Sequence, residues 1–142
     1  MKKRYIIMVL ALLLAAPGVF NWCMRWYYAS AYRDVEDYVT ATGTVTHIAD
    51  SDEWGLFLGI EDTTVTFSDV NFVFKGENRR IVLEKGILEK LQIGDRVEFT
   101  VDPWYAGDGY SMPIVAVCVD GEWMLEFEEG YQNLQDHYLK AE

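Results

Sequence analysis

The chain has 142 residues, 51% hydrophobic and 15% aromatic, which excludes a disordered polymer and leaves room for one packed domain. Its net charge of −11 is sharply divided: residues 1–31 hold Lys2, Lys3, Arg4 and Arg25 and no acid, so residues 32–142 carry −15. A domain of that sign repels phosphate backbones, which speaks against nucleic acid and leaves cationic or neutral partners, or simple solubility, as the use of the charge.

Three cations, Lys2 to Arg4, precede an uncharged run from Tyr5 to Cys23. As a helix of ~1.5 Å per residue that run reaches about 28 Å, close to a ~30 Å hydrocarbon layer. The positive flank belongs inside, so the remaining chain is expected outside the cytoplasm, with Trp22, Trp26, Tyr27 and Tyr28 at the outer boundary. A cleaved signal peptide is the competing expectation. Its apolar core would be Tyr5–Ala16, with small residues placed for a cut after Gly18 or after Ala31. Either way the domain leaves the cytoplasm, as a single-pass membrane protein or as a secreted one. Three segments follow: an anchor or signal (1–31), a polar connector (32–38) and a folded domain (39–142).

From Val39 the hydrophobic period is two. Val39, Ala41, Gly43, Val45 and His47 alternate with four threonines, predicting a half-buried strand. Asp50–Gly55 reads as a turn, and Leu56, Leu58 and Ile60 share one face of a second strand. Val65 and Phe67 alternate with Thr64 and Thr66. Phe72 and Phe74, then Ile81 and Leu83, suit a hairpin about Gly76-Glu77-Asn78. A short helix is predicted within Gly86–Gln92. Val97, Phe99 and Val101 mark the clearest strand, and Met112–Val119 is apolar on both faces, as in a central strand. Asp120-Gly121 predicts a hairpin into Trp123 and Leu125. Phe127, Tyr131, Leu134 and Tyr138 then fall at helical spacing. The fold class expected is mostly β: a small Greek-key barrel of the OB type, with a short helix before its fourth strand and a C-terminal helix packed on it. An SH3-like barrel or a small sandwich fits the same elements.

Val39–Tyr131 resembles uncharacterised exported or membrane-anchored OB-like proteins of bacteria. The resemblance rests on Gly43-Thr44-Val45, Ile93-Gly94-Asp95-Arg96-Val97, Gly107 to Pro113 and Glu126 to Tyr131. It implies no activity.

The loop from Asp102 to Tyr110 holds Trp104, Tyr105, Asp108 and Tyr110, a combination of flat rings and a carboxylate suited to sugars. In an OB barrel it pairs with the first turn, carrying Trp54, beside the ligand face. Trp54, Trp104, Tyr105, Asp108 and Tyr110 are therefore the candidate contacts to a protein partner or an envelope glycan. The bland alternative folds these rings over the barrel end. Asp50 to Glu61 partly matches a calcium loop, but Trp54 occupies a ligand position and the flanks are strands. His47 and His137 are expected to be structural, and Cys118 a small core residue unbonded to Cys23. No nucleophile among Ser68, Ser111 and Cys118 has an identifiable base, and neither cofactor nor metal is indicated. A carboxylate-dependent hydrolase using Asp52 and Asp108 is the alternative to a binding or accessory module, and a structural subunit of an envelope complex is the third reading.

Overall fold

The computed structural model describes residues 2–67, 70–103 and 111–140. Helix α1 (Lys2–Ala31) is followed by a 3₁₀ turn (Val35–Asp37) and the strands β1 (Val39–Ser51), β2 (Gly55–Glu61) and β3 (Asn71–Phe74). Helices α2 (Gly76–Glu84) and α3 (Ile87–Lys90) lead to β4 (Arg96–Val101), β5 (Ser111–Val119), β6 (Glu122–Leu125) and the last helix, α4 (Phe127–Leu139).

The sheet order is β3-β2-β1-β4-β5-β6, and β3 also pairs with β5, in parallel, which closes five strands into a barrel. All other pairings are antiparallel. β1 is long enough to serve both neighbours: Val39–Thr44 pairs with β4, and Thr44–Ser51 pairs with β2. The expected barrel is present, but "mostly β" needs correction, because 44% of the structure is helical and 34% strand. Most of the excess is α1.

Alternation places Val45, Leu58, Phe72 and Phe99 inside the barrel, with Phe72 and Phe99 edge to face at 4.8 Å. That alternation is interrupted in β1. A bulge between Val45 and His47 adds a residue to β1, so His47 turns outward and Ile48 joins the core. The expected inward His47 is thus exposed. Cys118, expected as a small core residue, is only partly buried. No strand forms at Val65–Phe67, although Phe67 still packs against Phe72 at 5.3 Å.

The second half of the expected Phe72–Leu83 hairpin is instead helix α2. Glu77, Arg80 and Glu84 stand three and four residues apart, and Arg80 bridges both acids. Asn78, 1% exposed, donates to the carbonyl of Gly130 at 2.8 Å and accepts from Asn133 at 3.0 Å, fixing α2 to α4. The predicted turn at Asp120-Gly121 is present, with φ of 51° and 81°, the left-handed pair a two-residue hairpin requires.

Helix α4 covers β5 at unusually short range. A Cβ on Gly130 would lie 1.8 Å from the Val115 carbonyl oxygen, so only glycine lets the helix approach this strand. The outer face of β5 therefore contributes Val115 to a second small core with Leu134 and Tyr32.

The segment from Tyr5 to Ala31 is long and apolar enough to cross a membrane, with mean hydropathy 2.2 and none of its most apolar stretch buried. Its last turn is different. Ala29 is fully buried and Tyr32, just beyond, is 2% exposed. The rings of Tyr28 and Tyr32 each stack on Tyr138, at 5.4 and 5.8 Å. Gln135 donates to the Tyr32 carbonyl, Tyr131 to that of Arg33, and Arg25 to that of Lys140. Tyr38 packs on Phe127 and Tyr131. Positions 25, 32, 33 and 38 thus meet 140, 135, 131 and 127 in turn: the end of α1 and the segment after it run antiparallel to α4.

Candidate functional site

Two concave sites flank α4, one at each end. The first is built on the β1–β2 turn. Ser51 accepts the Trp54 backbone N–H through its hydroxyl at 3.3 Å, and Trp54 projects outward, 66% exposed. Arg79 of α2 reaches under this turn, donating to both oxygens of Asp50 and to Asp52, each at 2.8 Å. That grip holds the Asp50 carboxyl below the usual carboxylate range.

Trp54, Asp52, Glu53, Lys75, Arg79 and His137 line the resulting cleft, of about 400 Å³. Its back wall is tight. Gly76 has a φ of 52°, and a Cβ there would sit 2.8 Å from Nδ1 of His137, so glycine is required where α2 begins. Lys75, just before it, is half-buried, and burial lowers the pKa of its ammonium group. Among the described residues its side chain makes no ion pair or hydrogen bond. A neighbouring cleft of about 630 Å³ shares Gly76 and His137 and adds Arg80, Lys140, Glu77 and Asp136.

The second site lies at the opposite end of α4. Val35, Tyr38, Trp123 and Phe127 wall a groove of about 490 Å³ over Thr40, Thr100 and Ala116. Thr40 and Thr100 hydrogen-bond to each other at 2.8 Å across the β1–β4 pair, leaving the lining largely apolar. Trp123 and Val35 are 42% and 50% exposed. Burial raises the Tyr38 hydroxyl far above its ordinary pKa, and the Asp102 carboxylate adds to this.

Of the residues singled out in the sequence, Trp54 lies in the first cleft, where the expected turn is found. Trp104, Tyr105, Asp108 and Tyr110 lie outside the described residues. Asp52 is held by Arg79, and His137 packs edge to face on Tyr138 at 5.1 Å. No group of three or more metal-ligating side chains occurs among the described residues. Sequence reasoning missed Lys75, whose surroundings are set by α4, about 60 positions later. It also missed Arg79-Arg80, which did carry a signal: adjacent arginines in a strongly acidic domain. Tyr38 and Trp123 meet only through the fold.

Comparison with protein-family models, curated proteins and solved structures finds no match.

Proposed function

We propose that this chain is a membrane-anchored binding or accessory module, an OB-like barrel held outside the cytoplasm by a retained α1. What carries the reading is the docked end of α1. A cut after Ala31 would remove Ala29 from a buried site and Tyr28 from its stack on Tyr138. A cut after Gly18 would spare them but leave Phe20, Trp22, Trp26 and Tyr27, all about half exposed or more, in water. A retained span leaves both intact, and Lys2-Lys3-Arg4 then keep the N-terminus inside. The OB-like assignment is supported by the closed order β1-β2-β3-β5-β4, the parallel β3–β5 pair and the helices between β3 and β4.

The partner in this reading is a protein or an envelope glycan, met by the groove of Val35, Tyr38, Trp123 and Phe127. That groove lies at the end of α4 away from the span, where a partner outside the membrane has access. A test is photo-crosslinking of the full chain in its own membrane, from a benzoylphenylalanine at position 123 and a control at Glu89. A discrete adduct from position 123 alone supports the groove. Equal yields at both positions, or none at 123, count against it. The intact mass of the membrane-extracted chain tests the anchor: a chain starting at Val19 or Tyr32 would overturn it.

A further inference from the structure

The direction of α4 fixes which end of the barrel is nearest the span. The Arg25 guanidinium donates to the Lys140 carbonyl at 2.9 Å, and Arg25 is the first charge after the uncharged run ending at Cys23. Lys140 therefore sits at the outer end of the hydrophobic stretch. His137 is one turn back along α4, about 4.5 Å. Gly76, Lys75 and the Trp54 turn gather around His137. Both clefts that share His137 thus lie at the end of α4 that meets Arg25, and a headgroup region occupies roughly 5–8 Å beyond the hydrocarbon.

Charge is distributed to match. Eight cationic residues follow Ala31 in the sequence, and four of them, Lys75, Arg79, Arg80 and Lys140, line these two clefts. Among the described residues the acids that line them are Asp52, Glu53, Glu77 and Asp136. Asp50 and Glu84 add to these as further partners of Arg79 and Arg80, so the clefts gather half of the domain's cations without being neutral. Three of the four cations have carboxylate partners: those of Arg80 and Lys140 are surface pairs, while Arg79 is held from two sides by Asp50 and Asp52. The fourth, Lys75, has none among the described residues. Beside it, Trp54 exposes an indole, the side chain that favours the level of lipid headgroups, where Trp22 and Trp26 also belong.

We infer that the Trp54 end of the barrel rests on the bilayer, with Trp54 among the headgroups and a lipid phosphate seated between Lys75 and the neighbouring cleft cations. This rests on the anchored reading above, since the level of the clefts is measured from α1. Trp54 becomes a membrane contact here, and the groove at Trp123 is left for the partner.

The test is fluorine NMR of the full chain carrying fluorotryptophan, in nanodiscs of phosphatidylcholine with or without phosphatidylglycerol. Trp54→Phe and Trp26→Phe assign the two resonances, and a headgroup spin-labelled lipid broadens whatever lies at that level. The expected result is broadening of both Trp26 and Trp54, with Trp54 broadened more when phosphatidylglycerol is present. In Lys75→Gln the Trp54 effect should fall about fivefold, the equivalent of the ~1 kcal/mol that one cation near an anionic surface contributes, while Trp26 is unchanged. Broadening of Trp26 without Trp54 overturns the inference and leaves the anchor standing. Broadening of neither overturns both. An undiminished Trp54 effect in Lys75→Gln removes the phosphate seat. A Trp54 shift caused by inorganic phosphate in phosphatidylcholine discs assigns the cleft to a soluble anion and overturns the lipid source.

Discussion

The carbonyl of Tyr32 accepts two hydrogen bonds, from Gln135 at 3.0 Å and from the Tyr38 hydroxyl at 2.9 Å, so one backbone oxygen just beyond α1 is tied both to α4 and to the residue that precedes β1. The arrangement is redundant, and redundancy has a measurable signature.

Gln135→Ala and Tyr38→Phe should each destabilise the domain by about 1 kcal/mol, since the oxygen keeps one partner. The double variant strands a buried acceptor and should cost about 1–3 kcal/mol beyond the sum. Urea unfolding of the four proteins gives the coupling directly. Strict additivity would show that water reaches the Tyr32 carbonyl and that the junction is looser than described.

Gly130→Ala should reverse the usual helix rule. In an exposed helix interior this change stabilises by about 1 kcal/mol. Here the added methyl would meet the Val115 carbonyl, and the expected loss is about 3 kcal/mol, read as a lower urea midpoint. A midpoint at or above wild type would mean that α4 stands off β5.

Stability should also fall in alkali, starting at about pH 10, where unfolded tyrosines begin to ionise. Burial pushes the Tyr138 hydroxyl up to about 12, with Tyr28 contributing, and raises Tyr38 further still, from an ordinary value of 10.0. A raised folded value means that the neutral form is the one the fold accommodates. The stabilisation is whole below about pH 10 and is lost as pH rises through the folded values. Urea midpoints from about pH 9 to about pH 12 should decline in wild type and decline less in Tyr38→Phe/Tyr138→Phe. Identical slopes would place the alkaline sensitivity elsewhere.

Legibility in the sequence followed the range of the interactions. The two-residue period at Val39–Val45 and Val97–Val101, the Asp120-Gly121 turn and the 127–131–134–138 spacing all act locally, and each element stands where its pattern put it. Thr46 and His47 continue an alternating sequence without interruption, so the bulge that reverses the phase of β1 left no trace; it arises from pairing with Gly59 and Ile60. Ile81-Val82-Leu83 has strand propensity, and the contacts that make that segment part of a helix pair, such as the bonds of Asn78 to Gly130 and Asn133, come from some 50 positions on. Trp54 was readable as an exposed ring in a turn. Lys75 was not, because its isolation depends on which side chains of α4 come near it.

The closure of the barrel also has a consequence in time. β3 finds its parallel partner only when residues 111–113 exist, and the docked end of α1 finds its cover only when α4 does. A chain that inserts its first helix during synthesis would therefore hold that helix in the bilayer, with Tyr28 and Tyr32 uncovered, until the last helix emerges. In a chain truncated before α4, Tyr28 and Tyr32 would lack the ring of Tyr138 on which both stack.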